Sequence, residues 1–164
     1  MIGPEPMLTK TKAQRMKAGP AEGRFAIVAS QYNARFVNGM LRAARTAFRE
    51  AGIQDLSVVR VPGAFEIPVA VSELASQSPG FEAVLCLGVI LRGETSHADL
   101  IGNGVTQALA WIQVRHKVPV IHEVLLLDTA EQAKIRCLSE EHGRGREAAL
   151  TALSMSRIMR SIRL

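Results

Sequence analysis

The chain has 164 residues, of which 48% are hydrophobic, enough for one domain with a core of its own. No apolar stretch approaches the ~20 residues of a membrane-spanning helix, and no apolar run follows the first charges, so neither a membrane span nor a secretory signal is expected. The two cysteines, Cys86 and Cys137, lie far apart in the sequence. We therefore expect no disulfide, no zinc site and a cytoplasmic protein.

The net charge of +5 is concentrated at the N-terminus. Residues 1–24 carry five basic and two acidic side chains, a net +3. Residues 1–23 contain several Pro and Gly and no sustained apolar period, so we expect a basic, disordered extension ahead of a domain at 24–164. No recognised nucleic-acid motif accompanies these charges. We expect no nucleic-acid partner, and an arm that binds nucleic acid or an anionic surface is the less favoured alternative.

Strand-like and helix-like segments alternate after Gly23. In chain order they are strand Phe25–Ser30, helix 36–51, strand Leu56–Val61, helix 67–76, strand 83–91, helix 97–116, strand 118–127, and helices at 129–140 and 146–161. Strands separated by single helices require right-handed crossovers. The pattern therefore predicts an α/β fold with three layers (α/β/α) and a four-stranded parallel sheet.

Unusual residues follow three of the predicted strands, at 31–33, 62–66 and 92–97. In open parallel sheets, ligands bind beyond the carboxyl ends of the strands. The segment 92–97 reads Arg-Gly-Glu-Thr-Ser-His and opens a helix, whose N-terminal N–H groups favour an anion. His97 can carry a proton near neutral pH. This combination indicates chemistry on a phosphorylated small molecule.

Three motifs resemble the lumazine synthase family. They are Val-Pro-Gly-Ala-Phe-Glu-Ile-Pro at 61–68, Leu-Gly-Val-Ile-Leu-Arg-Gly-Glu-Thr-Ser-His at 87–97, and Glu-Gln-Ala at 131–133 followed by Arg136, within a match that runs from about 25 to 158. The resemblance implies a flavodoxin-like sheet and a transferase that needs no metal and no organic cofactor. Its reaction would condense 5-amino-6-(D-ribitylamino)uracil with 3,4-dihydroxy-2-butanone 4-phosphate, giving 6,7-dimethyl-8-ribityllumazine, phosphate and water. This is the penultimate step of riboflavin synthesis.

The resemblance implies a pocket for the pyrimidine and its ribityl chain. Tyr32 stands where the family has a stacking Phe or Trp, and His122 stands where relatives often have a Phe supplied by a neighbouring subunit, so the pocket should be more polar and pH-sensitive. Each of three residues also has a purely structural alternative. Tyr32 could pack under a loop, Phe65 could lie in the core, and His122 could lie at an interface, hydrogen-bonded to Glu123 or to a backbone carbonyl. Glu66, in an apolar context, needs a partner such as a ribityl hydroxyl. The implied pocket residues are Tyr32, Ala64, Phe65, Glu66, Val89, Ile90, Leu91 and His122.

The same resemblance assigns the proton transfer to His97 and the phosphate to a loop and two arginines. The implied phosphate residues are Glu94, Thr95, Arg136 and, as a secondary one, Arg144. Arg92 is a weaker candidate that could instead pair with Glu94. Cys137 could have an acidified thiol beside Arg136. No lysine lies inside the motifs, so the amine of the substrate, and no enzyme Schiff base, should be the nucleophile.

The family resemblance also implies a homopentamer with active sites between adjacent subunits, assembled in some members into an icosahedral capsid, and riboflavin synthase as a candidate partner. One rival interpretation is a carrier or regulator that binds lumazine or flavin without turnover. Other flavodoxin-like modules are disfavoured, because residues 30–33 hold neither an acidic cluster nor a Ser/Thr-Gly-rich phosphate loop.

Overall fold

The computed structural model describes residues 22–141 and 143–164, so most of the predicted extension at 1–23 lies outside the described residues. The strands are β1 (Phe25–Ser30), β2 (Leu56–Val61), β3 (Ala83–Leu91) and β4 (Val120–Leu127). The helices are α1 (Ala34–Glu50), α2 (Ile67–Ala75), α3 (His97–His116), α4 (Ala130–Leu138) and α5 (Arg144–Ile162), with a short 3₁₀ turn at Ala64–Glu66 before α2.

The four strands form one parallel sheet in the order β2-β1-β3-β4. Phe25 of β1 lies opposite both Leu56 and Ala83, so the first three strands begin at the same level. Every residue of β3 except Leu91 is buried, as a strand covered on both faces requires. The predicted α/β/α class with a flavodoxin-like parallel sheet is confirmed.

Helices cover both faces of the sheet and divide the core into two. Alternate residues of β1 point to opposite faces, so Ile27 packs with α1, α4 and α5, and Val28 packs with α2 and α3. The first cluster includes a tilted contact between the rings of Phe25 and Phe48, whose centroids are 5.2 Å apart. Side chains of α4 and α5 therefore lie on one face of the sheet, and side chains of α3 lie on the other.

Several element ends differ from the sequence-based expectation by a few residues. β4 begins at Val120 and not at 118, because Pro119 has no N–H for the ladder. α1 begins at Ala34, directly after Asn33, which has a left-handed φ of 55°. α4 begins at Ala130 because the Thr129 hydroxyl caps it, accepting the Gln132 N–H at 3.2 Å.

The long helices carry apolar side chains on their outer faces as well. Trp111 of α3 is 62% exposed and therefore lies outside the core of its own chain. Across the described ranges 22–141 and 143–164, no helix has the length and apolar character to cross a membrane.

A glycine contact between α5 and α1 provides a test of this packing. A Cβ at Gly145 would come within 2.6 Å of Met40 Cα and closer still to the Met40 carbonyl oxygen, and this backbone cannot move aside alone. We expect Gly145→Ala to lower the free energy of unfolding by about 1–3 kcal/mol, measured by urea denaturation. Gly80→Ala is the matched control, since its nearest neighbour would be at an ordinary 3.5 Å. Equal stability of the two variants would contradict the packing.

Candidate active site

Hydrogen bonds tie the carboxyl ends of β1, β2 and β3 into one surface. The Gln31 N–H donates to Val61 O at 2.8 Å, and the Tyr32 N–H donates to Pro62 O at 3.0 Å. The Asn33 side-chain amide donates from Nδ2 to Val89 O at 2.7 Å, which joins the β1 loop to β3. The three predicted segments therefore lie together at one edge of the sheet.

Two aromatic rings stand exposed at this edge. Tyr32 is 76% exposed and Phe65 is 63% exposed, so the alternatives that placed these rings under a loop or in the core are wrong. Phe65 lies over α3, because a Cβ at Gly104 would be 3.5 Å from its Cε2 atom. Exposed ring faces at a strand edge suit a flat heterocycle.

The 3₁₀ turn and the end of β3 form the floor beneath the rings. The Gly63 N–H donates to Glu66 Oε2 at 2.8 Å, so the carboxylate of this exposed residue finds one partner within its own chain. Ala64, Val89 and Ile90 are buried and Leu91 is half-buried. Among the backbone acceptors at this end of β3, Val89 O accepts the hydrogen bond of the Asn33 side-chain amide.

The loop from Arg92 to His97 is exposed throughout and leads into α3. Ser96 occupies the N-cap position of α3, and its side chain makes no capping hydrogen bond. The His97 N–H makes a long 3.4 Å contact with Thr95 Oγ1. Backbone amides at the N-terminus of a helix favour an anion. The exposed His97 begins the same helix.

Arg92 pairs with Asp99 of α3 and with Asp128 at the end of β4, and not with Glu94 as expected. The Arg92–Asp99 contact is 2.5 Å, and the Arg92 N–H donates to Leu127 O at 2.8 Å. The hydrogen bonds to Asp99 and then Asp128 raise the pKa of Arg92. Asp99 lies seven residues further on, in the first turn of α3, so Arg92 clamps the ends of β3 and β4 to the start of α3.

Arg136 and Arg144 lie elsewhere, around Glu123 of β4. Glu123 is only 5% exposed and lies opposite Leu87, four residues before β3 ends at Leu91, which is roughly 13 Å along the strand. Arg144 grips it with Nη2 at 2.7 Å and Nε at 3.2 Å. Burial raises the pKa of Glu123, and the hydrogen bond and charge of Arg144 oppose that shift. Arg136 is exposed, and its charge opposes the same shift more weakly.

One chain therefore carries two half-sites that it does not bring together. The first half-site comprises Tyr32, Phe65 and the loop 92–97, at the carboxyl edge of the sheet. The second half-site comprises Arg136 and Arg144 with Glu123, in the layer of α4 and α5. His97 begins α3 on the opposite face of the sheet.

His122 neighbours Glu123 but faces α3. Its Nδ1 accepts the Val124 N–H at 3.1 Å, and its Nε2 lies 2.8 Å from Thr106 Oγ1. The Thr106 hydroxyl donates to Gly102 O at 2.8 Å, so Nε2 must carry the proton and the ring is neutral. Burial lowers the pKa of His122. The partners expected for an unliganded His122, Glu123 or a backbone carbonyl, are therefore wrong.

Neither cysteine has a reactive thiol. Burial, with Glu123 nearby, raises the pKa of Cys137 to about 11, so the acidified thiol expected beside Arg136 is wrong. Burial likewise raises the pKa of Cys86. Among the described residues, no cluster of three or more His, Cys, Asp or Glu side chains could hold a metal ion.

Comparison with known proteins identifies the family of this chain. Residues 22–160 match the model of the 6,7-dimethyl-8-ribityllumazine synthase family. A 6,7-dimethyl-8-ribityllumazine synthase of Streptomyces coelicolor is 39% identical over 141 residues, covering 85% of this chain and 86% of the relative. The enzyme of that name from Aquifex aeolicus is 39% identical over 146 residues, covering 87% and 94%. This chain belongs to the 6,7-dimethyl-8-ribityllumazine synthase family.

Proposed function

We propose that this protein catalyses the condensation of 5-amino-6-(D-ribitylamino)uracil with 3,4-dihydroxy-2-butanone 4-phosphate. The products are 6,7-dimethyl-8-ribityllumazine, phosphate and water, and the enzyme is a transferase of riboflavin biosynthesis. The observation that carries the proposal is the first half-site, where two exposed rings stand at the same edge as the open N-terminus of α3 and His97. Membership of the family supports this reaction over a carrier.

The pyrimidine stacks on Tyr32, and Phe65 lies along the ribityl chain with Ala64 and the free oxygen of Glu66. Backbone groups of Val89–Leu91 bind the uracil edge, apart from the carbonyl that Asn33 occupies. The substrate's own amine attacks the ketone. The two lysines of the described chain support this, because Lys134 pairs with Glu131 on α4 and Lys117 follows the far end of α3.

His97 transfers protons in the steps that follow the attack. It accepts the proton that the amine loses and returns it to the departing hydroxyl, so that water leaves and an imine forms. Elimination of phosphate, ring closure and loss of a further water complete the lumazine. Holding two substrates side by side supplies most of the rate, so His97 accelerates a reaction that proximity already favours.

The phosphate is bound by the amides of Glu94 and Thr95, in the loop that leads into α3, and by the guanidinium of Arg136, whose fork suits a dianion. Arg144 was predicted as a secondary phosphate residue, and two of its nitrogens already bind Glu123.

We further propose that a neighbouring subunit supplies the second half-site to the first. The two half-sites lie in different layers of one chain, so a site containing both His97 and Arg136 requires two copies. His122 stands where relatives often have a Phe from a neighbouring subunit, and on that resemblance it closes the pyrimidine pocket from the same neighbour as Arg136. A cytoplasmic homopentamer is the assembly we propose, with an icosahedral capsid and a complex with riboflavin synthase as higher assemblies that light scattering of the purified protein would reveal.

Turnover of the two purified substrates, followed by lumazine absorbance and fluorescence, tests the reaction. We expect His97→Ala to lower kcat about 100-fold with little change in either KM, because it removes proton transfer and leaves binding intact. Arg136→Gln should instead raise the KM of the phosphate substrate.

His116→Ala is the matched control for His97, since His116 ends the same helix that His97 begins. Its kinetics should equal those of the unaltered protein. Tight lumazine binding without any rate above the uncatalysed condensation would replace the synthase with the carrier.

The stability of the protein should depend on pH through His122, which lies in the wall of the proposed pocket. Because burial lowers its folded pKa, the unfolded chain binds this proton more readily than the folded chain. Stability from neutral His122 is present above about pH 6.5, the ordinary pKa, and is lost as the pH falls from there to the lowered folded pKa. We expect the free energy of unfolding to fall more steeply from pH 7 to 5 than in His122→Phe. Parallel curves for the two proteins would contradict a neutral, half-buried His122 ring.

A further inference from the structure

We propose that Glu123 is a positioning residue, which binds the guanidinium of Arg144. Arg136 is thereby left as the one arginine of the second half-site that can bind phosphate. The inference rests on the proposed function and refines it, because the sequence assigns phosphate to both arginines.

The contacts of Arg144 leave no nitrogen of its guanidinium without a carboxylate. Nη2 and Nε bind the two oxygens of Glu123 at 2.7 and 3.2 Å, and Nη1 binds Glu147 at 2.8 Å. This two-pronged geometry is the strongest that an arginine and a carboxylate can form. Two negative charges therefore surround one positive charge, and little attraction for a phosphate dianion remains.

Arg136 has the opposite character. It is exposed, and it forms no hydrogen bond or ion pair with any side chain in the parts of the chain that the structure describes. Its charge nevertheless acts on Glu123, so Arg136 is the next cation within range of that carboxylate. Arg136 stays available because Arg144 already satisfies Glu123.

Loss of Arg144 should therefore act on phosphate through Glu123. Glu123 is almost fully buried, and a buried carboxylate without a partner is costly. Once Arg144 is removed, Glu123 draws the side chain of Arg136 inward, away from the phosphate. Neutralising Glu123 in the same protein removes that competition and should free Arg136 again.

The test measures phosphate affinity in Arg144→Gln, Glu123→Gln and the double variant. The readouts are the KM of the phosphate substrate against the KM of the pyrimidine, and the rise in melting temperature caused by inorganic phosphate, which needs no turnover. We expect Arg144→Gln to raise the phosphate KM about tenfold, the scale of a charge-assisted contact, with the pyrimidine KM unchanged. The double variant should return to within about twofold of the unaltered protein.

Arg146→Gln is the matched control, because Arg146 lies two residues along α5 in an exposed pair with Glu50 and should change neither readout. Arg144→Lys retains a charge beside Glu123, and its smaller effect keeps the test valid if Arg144→Gln folds poorly. A double variant as weak as Arg144→Gln would make Arg144 a direct phosphate ligand and overturn the proposal. An unchanged phosphate KM in Arg144→Gln would overturn it as well. Failure of Arg136→Gln to weaken phosphate would instead count against the proposed site itself.

Discussion

The strand β3 positions nearly everything that the site uses. It lies between β1 and β4 and is buried on both faces, so its register fixes where each neighbouring strand ends. Asn33 is bonded to the Val89 carbonyl of this strand, and Arg92 at its end clamps Asp99 and Asp128. A slip of one residue in β3 would turn its side chains to the opposite faces and break both ties. The position of Tyr32, next to Asn33, and the position of the loop 92–97 therefore depend on one strand.

Charge is distributed unevenly around this frame. Arg92 is held between two aspartates, and Arg144 is held between two glutamates, so each guanidinium is bound by carboxylates of its own chain. These two arginines position segments of backbone. Arg136 is exposed and has no such carboxylate partner among the residues that the structure describes. A basic residue near a candidate site therefore indicates a ligand contact only when its partners are known. The sequence alone does not distinguish a guanidinium bound by carboxylates from one without such partners.

The sequence was sufficient for the sheet and for the edge where the unusual residues meet. β1, β2 and β3 matched their predicted limits because apolar runs and the Pro62-Gly63 stop are strong local signals. The partners of Arg92 were not predictable, because Asp99 and Asp128 reach it through tertiary structure. Glu123 did carry a signal, since a carboxylate within an apolar strand must find a cation. Asn33 carried another, because asparagine tolerates the left-handed conformation after a strand.

The proposed division of the site between two subunits can be tested by complementation. His97→Ala and Arg136→Gln subunits would be mixed in equal amounts, unfolded and refolded together, and assayed for lumazine formation. The assay would use a concentration of the phosphate substrate far below the KM of Arg136→Gln, so that each variant alone is slow. If each site takes His97 from one copy and Arg136 from its neighbour, about one quarter of the sites in mixed assemblies contain both native residues. Activity should then rise from the low level of either variant alone to about one quarter of that of the unaltered protein. A mixture no more active than the average of its two components would contradict a shared site.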